Sequence, residues 1–541
     1  MGERRCFMKR RLILVAVLTL TLVVSFIPFV QAEEKSLSDW LQIGGEYRFR
    51  FDYLKGTVHE HFNFSNFENA AYQQFQAAAM QGLVTTFSTP RGTYLGVDDG
   101  NFDPNAIQQA GLVDKHDVKN ESLFTNRFRL TLKAKATEYI TVKARFAMYK
   151  VWGHQTSEPI TGGGYFADRI TPDGAPFDGT VGHIPQDNKL VVDYGYATWS
   201  NIADLPIWFS IGRRPSTEGV PTNIRMNREK VGTSGVPGLM IDYAFDGLTI
   251  GVAPYIEALE GFYAKICYGK GYDSGYETDL PGDNTPEDVN FVGLNIVPLD
   301  TDTVHIELQW DRAFDIFDTF PDSGVKANLG DIDQYGITAM FKFEDLGPGD
   351  LNLFGSAALS KTHPSDEALR MDVLQLMDVD GDTQPELVYV PNAPLAGLLY
   401  NYDQNGNPVG KESHTGHAFY VGARYDIKST GTKIGAEFNY GSKYWIAFAP
   451  AGDDIWTSKL GTRGKVYEAY LIQEIKDTPI SPNGKAFFRL GYQYYDFDYT
   501  GSNSWIGAPV KIDDISKNGP AQFMSPLEKA QDLYFMFEVW F

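Results

Sequence analysis

One pattern runs through most of this chain: apolar and polar side chains alternate strictly over about ten residues, the run breaks, and the alternation resumes. In the first such run Leu41, Ile43, Tyr47, Phe49, Phe51 and Tyr53 share one face, and Gln42, Glu46, Arg48, Arg50 and Asp52 share the other. Phe128, Leu130, Leu132 and Ala134 then oppose Arg127, Arg129, Thr131, Lys133 and Lys135, and Val142, Ala144, Phe146 and Met148 oppose Thr141, Lys143 and Arg145. A period of two places successive side chains on opposite faces of a strand. A soluble sandwich alternates as well, but like charges running down one face of adjacent strands need water around them. A closed barrel with a wet interior and an apolar exterior supplies that water. The expected fold is all-β, a transmembrane antiparallel barrel.

The connections point the same way. Short links at Phe245-Asp246-Gly247, 299–302, 346–350 and 428–431 alternate with long polar stretches at 55–122, 153–188, 258–288, 363–415 and 500–529. Short periplasmic turns and long extracellular loops are the habit of outer-membrane barrels. Strands are expected near 41–54, 123–136, 140–152, 189–200, 206–213, 236–245, 248–257, 289–298, 303–314, 334–344, 350–362, 416–427, 432–441, 464–476, 485–497 and 530–541, about sixteen in all. The segment 262–269 is also strand-like and would raise the count toward eighteen. It reads as a hairpin extension in a loop, because counting it alone leaves the C-terminus on the wrong side. The last strand places Leu533, Phe535, Phe537, Val539 and the terminal Phe541 on one face, similar to the closing signal read by the bacterial outer-membrane assembly machinery. A long greasy edge at a free terminus is an aggregation hazard unless a closed barrel or a membrane covers it.

The N-terminus sets the compartment. Arg4, Arg5, Lys9, Arg10 and Arg11 precede an apolar run over 12–30, and Val30-Gln31-Ala32 offers a small-residue cleavage site, so 1–32 reads as a signal peptide and 33–541 as the barrel. An uncleaved anchor is the alternative, disfavoured by Pro28 and the cleavage site. Cys6 precedes the apolar run and Cys267 is the only other cysteine, so no internal disulfide framework forms. The net charge of -22 becomes -26 once five basic residues and Glu3 leave with the leader. Such an acidic chain is no nucleic-acid binder, whose phosphate contacts need a basic surface. Its partners are expected to be membrane lipid and small solutes.

The segments GRRPSTEGVPTNIRMN at 212–227 and IGAEFNYGSKYW at 434–445, with the chain length and leader, resemble a functionally uncharacterised family of putative porins found in sulfur- and metal-metabolising anaerobic bacteria. The resemblance implies a porin-like barrel and no particular substrate. Some members carry a coiled coil before the barrel; here Glu33 leads almost directly into the first strand, so a trimerisation stalk is not expected.

Enzyme signatures are missing: no GxSxG, Walker A or HExxH motif occurs, and no CxxCH attaches haem. His59 with His61 and His414 with His417 each offer two metal ligands without an evident third. No cofactor is required. Two functions remain: a channel for passive diffusion of small hydrophilic or ionic solutes, or a scaffold barrel sheathing a multihaem cytochrome. The 55–122 loop, helix-like over 69–81, is long enough to fold inward and narrow the bore, which favours the channel. A homotrimer follows only by analogy with porins of similar strand number.

The expected pore lining is electrically lopsided. Arg48, Arg50, Arg127, Arg129, Lys133, Lys143 and Arg145 share a basic wall, with Arg213 and Arg214 ending a nearby strand before Arg225 and Arg228. His305, Glu307, Gln309 and Asp311, with Glu437, form an acidic wall across the bore. Opposed walls orient dipolar solutes, and basic residues at mid-height favour weak anion preference. One metal site is also expected, in the 363–415 loop. Asp378, Asp380, Asp382 and Glu386 supply side-chain oxygens and Gln384 a carbonyl around Gly381, a pattern that resembles short calcium loops. Four carboxylates in nine residues repel one another unless a cation neutralises them.

Overall fold

The computed structural model describes residues 40–89, 92–153, 183–185, 188–228, 235–275, 288–317, 327–379, 383–403, 405–449, 452–481 and 484–541. The leader expected at 1–32 lies outside them. Sixteen strands close one antiparallel barrel: β1 Leu41–Val58, β2 His116–Lys135, β3 Ile140–Val151, β4 Val191–Trp199, β5 Ile207–Ser216, β6 Tyr243–Val252, β7 Tyr263–Tyr272 and β8 Val289–Asp300. They continue as β9 Val304–Phe317, β10 Asn328–Leu346, β11 Gly349–Pro364, β12 Thr415–Ile427, β13 Thr432–Gly441, β14 Gly464–Ile475, β15 Lys485–Phe497 and β16 Leu527–Trp540. Each strand pairs with its neighbours in sequence, and β16 returns to β1 with Arg48 opposite Glu538 and Arg50 opposite Met536. Closure removes every edge, as a lipid environment requires.

Alternation sorts the side chains. On β16 Leu533 is 44% and Phe535 36% exposed, while Asp532 and Met536 are fully buried. The outward set across the barrel is largely apolar, including Ile211, Ile250, Ile266, Ile337, Val421, Ile434 and Leu490. A largely apolar exterior on a closed barrel of this size belongs in the outer membrane. Among the described residues no helix is long and apolar enough to cross a membrane. Inside, tyrosine rings cross the glycines of neighbouring strands. A Cβ on Gly435 would sit 2.2 Å from the Tyr470 ring and one on Gly491 2.2 Å from Tyr534.

Sixteen strands are observed, but two boundaries differ from expectation. Asp246-Gly247 is no turn: it lies within β6, where Asp246 pairs with Arg213 on one side and Lys270 on the other. The segment read as a loop hairpin at 262–269 belongs to the barrel strand β7. Asp-Gly has local turn chemistry, but here the glycine answers a contact: a Cβ at Gly247 would lie 2.0 Å from the Tyr268 carbonyl oxygen. One strand fewer before Gly251 and one more after Gly261 keep the total.

The long 55–122 connection does not narrow the bore. β1 and β2 consume both of its ends, and the remainder forms a helix at Phe64–Met80, a hairpin of Val84–Thr89 with Gly92–Val97, and a second helix at Pro104–Gly111. The first helix starts at Asn63, whose side chain accepts from the Asn66 backbone at 2.9 Å. Its Phe67, Ala71 and Ala78 pack on Leu374 and Leu387. The strand Gly92–Val97 pairs with Glu386–Gly397 from the β11–β12 connection, Val97 opposite Leu387. These two long segments fold on each other, and Leu398 and Leu399 of the second join the buried cluster around Phe448 and Trp505.

Candidate functional site in the barrel interior

Two shorter connections fill the interior. The β5–β6 connection, 217–242, carries a short helical turn Thr222–Arg225; the β13–β14 connection spans 442–463. Asp242 ties them, accepting from the Glu218 backbone N–H and from the Gly452 backbone N–H, both at 2.8 Å. An apolar run, Trp445 to Ala449, packs against the β6–β12 side of the wall, with Phe448 5.1 Å from Phe291 and 6.0 Å from Trp505 between ring centres.

The opposite side is charged. Asp453 accepts from both Arg48 terminal nitrogens at 2.7 and 2.6 Å and from Arg127 at 3.3 Å, with Arg489 at 3.5 Å. Its backbone carbonyl accepts from Arg50 at 2.9 Å. Glu46 meets Arg127 at 2.7 Å and Arg129 at 3.1 Å. Glu218 takes Arg129, Arg145 and Arg228, and Asp193 takes Arg145 and His183. Arg225 reaches Asp454 at 2.6 Å and Glu468 at 3.1 Å, and Lys459 bridges Glu437 and Glu468. Carbonyls of the helical turn accept from Arg424 and Arg489 on the wall. Each of these wall arginines is nearly fully buried. Charges taken out of water this completely persist only when paired and hydrogen-bonded, so the inward connections and the arginine wall each make the other's burial tolerable.

The expected lining residues therefore divide. Arg48, Arg50, Arg127, Arg129, Arg145 and Glu437 enter this network. Arg50 bonds Asp52 at 2.6 Å and Asp532 at 2.9 Å besides. Lys133 and Lys143 stand directly opposite each other in the β2–β3 ladder, half-buried, with no ion pair among the described residues. Arg213 falls on the outer face, 3.6 Å from the exposed Asp246. Arg214 donates to Ser210 and lies over Tyr196 and Trp208. Glu307 is fully buried and accepts from Asn295 at 2.6 Å, and Asp311 is 1% exposed. Asp453, Asp454, Lys459, Glu218 and Asp242 went unmarked in the sequence. Trp445-Ile446-Ala447-Phe448-Ala449 was the available signal, since an apolar run beyond a strand end is out of place in an exposed loop.

Phe535, Phe537 and Val539 face outward with Leu533, and Phe541 exchanges backbone hydrogen bonds with Gly45 at 2.9 and 3.0 Å. In the acidic turn Asp380 and Asp382 lie outside the described residues. Asp378 accepts from the Thr383 backbone at 3.2 Å and Glu386 from Val379 at 2.7 Å, with Gln384 between them. Among the described residues no group of three or more His, Cys, Asp or Glu side chains is placed to hold a metal.

A family described as a protein of unknown function, DUF3373, matches residues 117–541. No curated protein matches the chain. Similar solved structures include OprB of Pseudomonas putida at high pH, with 10% identity, TM-score 0.41, and 93% of this chain and 95% of that chain covered. Salmonella typhi OmpF in complex with daunomycin has 9% identity, TM-score 0.38, and 92% and 97% coverage. An anion-selective porin from Comamonas acidovorans has 9% identity, TM-score 0.38, and 93% and 99% coverage.

Proposed function

We propose that this chain, which belongs to the DUF3373 family of proteins of unknown function, is an outer-membrane channel for passive diffusion of small hydrophilic or ionic solutes. Its own connections narrow it, and it prefers anions weakly. The carrying observation is the charge left over once the interior network is paired. Lys133 and Lys143 face one another half-buried and Arg214 has no carboxylate partner among the described residues, three basic groups against the one buried acid Asp311. Unpaired cations on one wall raise the local potential for anions. The arginines at 127 and 129 hold the inward connections and contribute little to selectivity. The scaffold reading fares worse, since a bore entered by 217–228, 235–242, 442–449 and 452–463 leaves little space for a cytochrome.

The test is conductance of the purified barrel in a planar bilayer with a salt gradient, and haem staining of the same preparation. Wild type should conduct with an anion-side reversal potential and carry no haem. Lys133→Glu with Lys143→Glu should move that potential toward cations. Absence of conductance, or a potential indifferent to both substitutions, would overturn the reading.

A further inference from the structure

Near the short turn that joins β2 to β3, two inward rows of the wall hold cations and hydroxyls and no acid. In the first row Lys133 stands opposite Lys143, Lys143 opposite Tyr196 and Tyr196 opposite Gly212. In the second, one step closer to the turn, Lys135 stands opposite Thr141, Thr141 opposite Thr198 and Thr198 opposite Ser210. Arg214 bends back over the Tyr196 ring, 5.2 Å from its centre, and donates to the Ser210 hydroxyl, which also accepts from Thr198 at 3.2 Å. Lys133 and Lys143 are half-buried and Lys135 is exposed, and none of the three forms an ion pair among the described residues. The acids around Arg145 are already taken: Asp193 by Arg145 and His183, Glu218 by Arg129, Arg145 and Arg228. Glu138 is exposed in the turn itself.

Like charges directly opposite each other destabilise a ladder, and an anion between them reverses the sign of that term. Opposed Cα atoms stand about 5 Å apart and successive inward residues about 7 Å. The flexible stems of Lys133, Lys135 and Lys143 therefore reach a single ion held over the Thr141 hydroxyl. A monovalent anion leaves most of the repulsion among three ammoniums in place, whereas a second charge on the same ion doubles its attraction to each of them. The lysines only donate hydrogen bonds, so the ligand that matches them only accepts. We infer that this patch binds a divalent tetrahedral oxyanion of the sulfate class, its oxygens taken by Lys133, Lys135, Lys143 and Thr141. Arg214 adds positive potential from the far side of Tyr196. The site rests on the channel reading for the ion's route along the bore, and names the solute class that the anion preference serves.

The test is equilibrium binding of labelled sulfate to the mature, folded barrel in detergent at low ionic strength, with methanesulfonate, chloride or phosphate as competitor. Saturable binding of one sulfate per chain is expected. Methanesulfonate keeps the tetrahedron and lacks the second charge, and chloride lacks both; each should compete about tenfold more weakly than sulfate. Phosphate should fall between them, because its proton meets no carboxylate in either row. Lys133→Gln and Lys143→Gln should each weaken sulfate binding about tenfold, while Lys55→Gln, at the opposite end of the barrel wall, leaves it unchanged. If a lysine variant does not fold, the wild-type order of competitors decides alone. No saturable sulfate binding, or competition by methanesulfonate or chloride equal to that by sulfate, overturns the inference. Conductance is measured on the same preparation: a barrel that conducts with an anion-side potential and binds no sulfate refutes the site alone, and one that binds sulfate without conducting refutes the channel alone.

Discussion

The connections that enter the barrel are shorter than those that stay outside it. Of the described residues, 217–228, 235–242, 442–449 and 452–463 lie among the wall side chains, while 59–89, 92–115, 365–379, 383–403 and 405–414 build helices and sheet beyond the strand ends. Length does not choose between these fates; available partners do. The inner pair carries Glu218, Asp242, Asp453 and Asp454, which answer arginines that the strand period turns inward, and an apolar run that answers Phe245 and Phe291. The outer pair buries a core of its own, Phe67 and Ala71 against Leu374 and Leu387, and sends only Leu398 and Leu399 into the cluster around Phe448.

That contrast breaks most sharply at Asp453. Asp453→Ala leaves Arg48, Arg127 and Arg489 without their shared carboxylate in a dry interior, a loss of about 3–5 kcal/mol. The 442–463 connection should then leave the bore. Single-channel conductance should rise and protease should cut within that connection; unchanged conductance and cleavage would disprove its role as a constriction. In the outer pair, Leu387→Ala removes a fully buried side chain at a cost of about 2–5 kcal/mol. Its effect should stay local. Hydrogen exchange should speed up in the two long segments while conductance stays at the wild-type value.

A gentler probe of the outer pair is pH. Burial pushes the Glu68 carboxyl up to about 7, against the smaller opposing pull of the Leu374 backbone N–H it accepts from at 2.8 Å. The folded form therefore holds the proton more tightly than the unfolded form, whose carboxyl titrates near 4.5. The stability tied to that proton is complete below about 4.5 and falls as pH rises to about 7. Limited proteolysis of the Phe64–Met80 helix should accelerate across that window in wild type and stay flat in Glu68→Gln. The smallest effect belongs to the surface pair Lys55–Asp117 at 2.9 Å, with side chains 42% and 52% exposed. Asp117→Asn should shift stability by less than about 1 kcal/mol, measured as the denaturant midpoint.

The barrel was legible because its evidence is periodic. Tyr47, Phe49 and Phe51 announce an outer face on every second residue, and a membrane punishes any exception. The charged wall was legible for the same reason, in Arg48, Arg50, Arg127 and Arg129. Their partners were not. Asp453 lies 405 residues from Arg48 in the chain, and nothing local marks it as the acid that fills that arginine's fork. The Asp246-Gly247 turn misled because it is good local chemistry, overruled by pairing with Arg213, Gly212, Gly269 and Lys270.

By itself the sequence determined the strand period, the even count of strands and, for strands such as β1, β2 and β3, which face meets lipid, because one-dimensional alternation sorts side chains between two solvents. Only the tertiary structure decided which connections enter the bore, which arginines are neutralised there, and which charges remain at Lys133, Lys143, Arg214 and Asp311. Pairing is a matter of distance between groups far apart in the chain, and a buried charge takes whichever partner the closed wall brings within reach.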